Sequence, residues 1–144
     1  MELLPITGDD RYLIAHAKHI IATYYRRDRH RIGAALRTTS GKIFTTVHVE
    51  AQVGRIAVCA EAMVLGKALS EGEAEFDTIV AVRRADETPH VFYVVAPCGM
   101  CRELMCDYGP ATKVLFVEGS ELKKVPACDL LPGKYSREQW GGVV

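Results

Sequence analysis

The stretch Ala96-Pro97-Cys98-Gly99-Met100-Cys101-Arg102-Glu103 decides the reading of the chain. It follows an apolar, β-rich run, Val91-Phe92-Tyr93-Val94-Val95, and opens a helical pattern over residues 98–108. Two cysteines three apart at the first turn of a helix form a pincer whose sulfurs can face one point. The helix N-terminus favours both as thiolates. Such a pair supplies two of the four positions around a tetrahedral zinc ion, so the rest of the chain must supply the others.

Bulk composition narrows where they come from. The 144 residues are 49% hydrophobic and 25% charged, which fits a single domain, residues 1–144, with its own core. Eighteen Lys+Arg balance eighteen Asp+Glu, which argues against a nucleic-acid partner bound through phosphate neutralisation. The densest basic run, Arg26-Arg27-Asp28-Arg29-His30-Arg31, reads as a solvated helix end. No apolar run reaches membrane-spanning length, and Met1-Glu2-Leu3-Leu4-Pro5 lacks the features of a signal peptide. Five cysteines, an odd number with two in Cys-x-x-Cys, point to metal binding in a reducing cytoplasm rather than to a disulfide framework.

Along the chain, Asp9-Asp10 caps a helix over residues 9–26 whose apolar face is Tyr12, Leu13, Ala17, Ile20, Ile21 and Tyr24. Residues 32–38 form a strand whose Gly33-Ala34-Ala35 marks a close approach, and residues 42–49 return as its hairpin partner. A helix over 59–70 ends at Gly72, strands follow at 76–82 and 91–95, and another strand covers 113–117 after Gly109-Pro110. Residues 122–125 are ambiguous, and Leu130-Leu131-Pro132-Gly133 and the tail through Trp140 pack late or not at all. The order predicts an α/β fold with a central mixed sheet of about five strands covered by helices.

Two segments can complete the metal site. His48-Val49-Glu50 matches the H-x-E half of a zinc deaminase signature, and Cys59-Ala60-Glu61 follows the same logic with sulfur for imidazole. His48 falls at a strand end, whereas Cys59 opens a helix, where thiolate is favoured. The reading therefore takes Cys59, Cys98 and Cys101 as ligands and sets His48 aside for metal. Three ligands leave an open position, the mark of a catalytic zinc that lowers the pKa of bound water. Glu61, two residues from a ligand, is placed to shuttle protons to a substrate nitrogen. His16 and His19 read as surface residues, and Cys106, about 140° around the helix from Cys101, and Cys128 read as buried small hydrophobes. A closed four-cysteine structural zinc is the alternative, and it leaves Glu61 without a job.

These residues resemble the cytidine deaminase family, in its short tetrameric branch and the related blasticidin S deaminases. The resemblance runs through Ile32-Gly33-Ala34-Ala35-Leu36, Gly41-Lys42-Ile43-Phe44, Cys59-Ala60-Glu61, Pro97-Cys98-Gly99-Met100-Cys101-Arg102 and Leu130-Leu131-Pro132. It implies a three-layer αβα fold and hydrolytic deamination, with zinc-bound hydroxide attacking the amino-bearing carbon of a pyrimidine nucleoside and Glu61 as the proton shuttle. Backbone at Ala60 and around Pro97 holds the ring, and a homotetramer is the implied assembly. Four positions depart from the family pattern. The sugar-gripping Asn-x-Glu pair is His48-Val49-Glu50, and an aromatic position is His30, which could stack on a base. The arginine that often follows the catalytic glutamate is Ala62, and the arginine between the blasticidin-type pincer cysteines is Met100. Cytidine, a modified nucleoside or a nucleoside antibiotic are the substrates in play. A zinc-bearing protein that binds nucleosides without turnover, and a deaminase acting on nucleic acid, are the rivals.

Overall fold

The computed structural model describes residues 1–137 and Val143, so the tail at Trp140 lies outside the described residues. Leu130, expected to pack late or not at all, ends a 3-10 turn and packs against the core. The first helix, α1, spans Gly8–Tyr24, and its cap lies earlier than Asp9-Asp10. Thr7 Oγ1 accepts the Asp10 N–H at 3.2 Å while Asp10 Oδ2 accepts the Thr7 N–H at 2.9 Å, a reciprocal capping box. Leu13, Ala17 and Ile21 form the buried stripe of α1 at four-residue spacing, whereas Tyr12 and Tyr24 lie exposed.

β1 (Ile32–Thr38) and β2 (Ile43–Val47) form an antiparallel hairpin whose turn uses Gly41 at φ 94°. At Gly33 a Cβ would lie 2.7 Å from both the Ala17 carbonyl oxygen and Ile20 Cγ2, so α1 rests directly on β1 backbone. A 3-10 turn at Gly54–Ile56 then leads to α2 (Ala60–Ser70), with Cys59 as its N-cap. The Gly72 expected to end this helix has φ 86°.

β3 (Phe76–Arg84) is the centre of the sheet, antiparallel to β1. One half of its other edge, Ala81 to Arg84, pairs antiparallel with β4 (Phe92–Val95). The other half, Thr78 to Val80, pairs in parallel with β5 (Lys113–Glu118). α3 (Gly99–Tyr108), capped by Cys98, links β4 to β5. The ambiguous residues 122–125 lie within a sixth strand, β6 (Glu121–Pro126), hairpin partner of β5 through Gly119 at φ 65°. The mixed sheet thus has six strands where about five are predicted, in the order β2-β1-β3-β5-β6 with β4 on β3.

Strand periodicity divides the core into two. Ala34, Leu36, Ile79, Val114 and Phe116 face α2 and α3, packing with Val64, Leu65 and Met105. Their neighbours Ala35, Val80, Val82 and Leu115 face Leu13 and Ala17 of α1. This is the three-layer αβα arrangement. Among the described residues, no helix is long and apolar enough to cross a membrane. Both helices on the first face begin at the same end of the sheet, bringing Cys59 and Cys98 together.

Candidate active site

Cys59 and Cys98 occupy equivalent N-cap positions on α2 and α3, and Cys101 lies in the first turn of α3. Cys59 Sγ and Cys98 Sγ are 3.6 Å apart, and all three sulfurs lie within 4.8 Å of one another. A tetrahedral zinc with Zn–S bonds of about 2.3 Å sets sulfurs about 3.8 Å apart, so the donor set fits that ion in chemistry and spacing. Cys59 spends no side-chain hydrogen bond on capping α2.

The thiols differ electrostatically. Burial lifts Cys98, but the Cys101 N–H, the neighbouring Cys59 and Cys101 thiols and the Met100 N–H together outweigh it and leave this thiol below its ordinary value. The preference for thiolate expected at the helix starts is met at Cys98 alone, since Cys59 and Cys101 are shifted the other way. Burial lifts Cys59 and, together with the charge of Glu61, lifts Cys101 much further. Deprotonation of these two is therefore tied to metal binding, which displaces their protons.

Glu61 sits on the first turn of α2, only 6% exposed, with Oε2 3.8 Å from Cys101 Sγ. Burial raises its carboxyl above the ordinary carboxylate range. It has no ion pair among the described residues. Glu61, Cys59, Cys98 and Ala60 line a cavity of about 300 Å³, walled further by Ile32, His48, Glu50 and Val95.

His48 stands apart from the sulfur cluster. Its Nδ1 accepts the N–H groups of Arg31 at 2.9 Å and Ile32 at 3.1 Å, which places the ring proton on Nε2. Nε2 lies 3.8 Å from Glu50 Oε2, and burial holds the imidazole below its ordinary pKa. The wall thus offers a neutral N–H donor beside a carboxylate acceptor. His30 is outside that wall; its Nδ1 donates to the His48 carbonyl at 2.7 Å, so it buttresses His48.

Pro97 is buried beneath the site, and its carbonyl accepts Arg102 Nε at 2.9 Å. Arg102 Nη1 reaches the Leu130 carbonyl at 3.1 Å, joining the pincer turn to the C-terminal segment. This clamp was not readable from sequence, since nothing local marks Leu130 as its partner. Thr46, whose hydroxyl donates to the Ala60 carbonyl at 2.8 Å, was missed for the same reason. Ala62 is half-buried and Met100 exposed, so neither departure from the family pattern brings a charge to the sulfurs.

Residues 7–118 match the family model described as the cytidine and deoxycytidylate deaminase zinc-binding region. The chain belongs to this family. It is a zinc-dependent aminohydrolase by membership, and its three-cysteine cluster could hold the ion. Blasticidin-S deaminase of Bacillus cereus is 45% identical over 139 residues, covering 95% of this chain and 99% of that protein. Cytidine deaminase of Halalkalibacterium halodurans is 29% identical over 117 residues, covering 80% of this chain and 84% of that protein. The solved cytidine deaminase of Burkholderia pseudomallei superposes with a TM-score of 0.71 at 32% identity, over 90% of this chain and all of that one.

Proposed function

We propose that the protein removes the ring amino group of an aminopyrimidine nucleoside by hydrolysis, giving the keto product and ammonia. One observation carries this reading. A buried carboxyl, Glu61, lines a single nucleoside-sized cavity together with Cys59 and Cys98, two of three convergent thiols, and lies against the third, Cys101. A protein that only binds nucleosides has no use for a buried, unpaired acid there.

In this reading Cys59, Cys98 and Cys101 hold zinc, which supplies the Lewis-acid chemistry that makes water nucleophilic near neutral pH. Glu61 moves the proton: its Oε2 takes one from the attacking water, delivers it to the ring nitrogen and then serves the departing amine. Its raised pKa suits that two-way traffic. The Ala60 backbone at the start of α2 and the turn around Pro97 hold the ring. The Pro97 carbonyl is fixed by Arg102, which acts there as a positioning residue. His48 Nε2–H and Glu50 hold the sugar hydroxyls, and His30 acts through His48 rather than by stacking on the base.

A substrate of the blasticidin S type is favoured by a specific observation, the similarity to Blasticidin-S deaminase over nearly the whole of both chains. Ammonia release from the zinc-loaded protein, offered cytidine, deoxycytidine, blasticidin S, adenosine and cytosine, separates the cases. Turnover of cytidine places the protein in pyrimidine salvage, and turnover of blasticidin S alone makes it an antibiotic deaminase. Ammonia from none of them overturns the deaminase reading.

The same proposal takes residues 1–144 as one deaminase domain, since both cores are built on one sheet. It places the protein in the cytoplasm, where reducing conditions keep five free thiols available. It also takes the assembly as a homotetramer. Val49, Val53, Ile56 and Val58 are exposed, with Val58 lining the cavity, and a second copy would cover them.

A further inference from the structure

Two of the five cysteines take no part in the sulfur cluster, and the fold sets them against each other. Cys106 lies in the last turn of α3 and is buried. Cys128 lies on the 3-10 turn Ala127–Leu130 and is only half-buried, so the reading of both as buried small hydrophobes holds for Cys106 alone. The Cys128 thiol points at the Pro110 carbonyl, 3.9 Å away, just beyond the Gly109 that caps α3. There the Cys106 thiol donates to the Cys128 sulfur.

The pairing is tertiary, since β5 and β6 lie between the two cysteines in the chain. The turn that carries Cys128 is pinned on both sides. Arg102 of α3 holds the Leu130 carbonyl at 3.1 Å, and the Ala127 N–H donates to the Thr112 carbonyl at 2.8 Å. Ala127 itself is buried in the same core as Met105. Lys134, held between Glu103 at 2.8 Å and Asp107 at 2.9 Å, adds a positive charge near Cys106. Burial and the contact with Cys128 still hold the Cys106 thiol well above its ordinary value. One sulfur is thus shielded and protonated, while its partner is open to solvent. That is the arrangement of a resolving cysteine behind an attacking one.

We infer that Cys106 and Cys128 form an oxidisable dithiol site, separate from the metal cluster, that takes hydrogen peroxide as its oxidant and closes to a disulfide. The Cys128 sulfur attacks one peroxide oxygen and the O–O bond breaks. The second oxygen leaves as water with the Cys128 proton, and Cys128 becomes a sulfenic acid. The Cys106 sulfur then attacks Cys128: the S–S bond forms, the S–O bond breaks, and the oxygen leaves as water with the Cys106 proton. Two thiols lose two electrons, and one peroxide is reduced to two waters. The bond ties the end of α3 to the turn that Arg102 already grips. In a reducing compartment the pair stays open and closes only when the redox poise shifts.

The test is peptide mass spectrometry of the zinc-loaded native protein, treated with a small excess of hydrogen peroxide, alkylated and digested without reductant. The main product should be two peptides joined through Cys106 and Cys128, released by a thiol reductant, with zinc per chain unchanged. A second arm follows the intermediate. In Cys106→Ser the Cys128 sulfenic acid has no resolving partner, so dimedone should trap it several-fold more than in the native protein. Absence of the joined peptides overturns the inference. So does joining chiefly among Cys59, Cys98 and Cys101 with loss of zinc, or equal trapping at Cys128 in the native protein and Cys106→Ser.

Discussion

Two clusters of buried charge face each other in kind. In the first, Asp10, fully buried on α1, meets Arg37 Nη2 at 3.0 Å and Lys124 Nζ at 2.9 Å. The same Arg37 atom reaches Asp77 at 2.7 Å, and Lys113 Nζ closes the set at 2.9 Å. Two carboxylates and three cations from α1, β1, β3, β5 and β6 satisfy one another. In the second, three thiols and Glu61 converge with no lysine, arginine or histidine paired to them among the described residues. Arg102 is near in sequence, but its Nε and Nη1 are given to carbonyls. A cluster in which every carboxylate is met by cations is a strut. One that gathers thiols and a carboxyl around an opening without cations has the donor set that could hold a dication.

The contrast breaks first at Cys59. Cys59→Ala should abolish tight zinc binding and all measurable turnover, read as metal content after dialysis, whereas His48→Asn should keep the metal. Full zinc in Cys59→Ala would mean the two clusters do not differ as described.

On the strut side, Asp10→Ala leaves Arg37 and Lys124 facing a buried hole and should destabilise the fold by about 3–5 kcal/mol in urea denaturation. The loss should appear in stability, with zinc content per folded molecule unchanged. A change below about 1 kcal/mol would reduce the network to ornament on the sheet edge.

Acid sharpens the comparison further. Burial alone would lift Asp77, yet Lys113, Arg37 and Thr78 outweigh it and hold its carboxyl at about 2 against an ordinary 3.8. Asp10 is likewise held low, burial being outweighed by the Thr7 N–H, Lys124 and Arg37. Groups depressed in the folded state bind fewer protons there than in the unfolded chain. Their contribution is thus complete above about pH 4 and is lost as pH falls toward 2. Denaturation midpoints should drop across that window, and Asp77→Asn should flatten the drop. An unchanged profile in Asp77→Asn would remove Asp77 as its source.

A smaller effect belongs to the α1–β1 contact that supports the strut. Gly33→Ala pushes a methyl against the Ala17 carbonyl and Ile20 and should cost about 1–3 kcal/mol, with activity retained in the folded fraction.

What could be read from sequence follows the same division. The clustering of Cys59, Cys98 and Cys101 beside Glu61 was legible because each residue sits at a helix start within a short motif of its own. The strands were legible from period-two alternation; β6 was not, since Glu121-Leu122-Lys123-Lys124 is too charged to read as strand until β5 pairs with it. The strut was invisible because Asp10, Arg37 and Lys124 come from distant segments, and each alone looks like a surface charge. The rim was half legible: His48 and Glu50 were found, but the backbone bonds that fix the His48 tautomer are tertiary facts.

The most direct test of the whole account is zinc stoichiometry and ammonia release measured together on the native protein and on Glu61→Gln. The account predicts one zinc per chain in both, with turnover lower in the variant by about 10²–10⁴-fold or more, the weight of a positioned proton shuttle. Turnover in Glu61→Gln close to that of the native protein, at equal zinc, would contradict it.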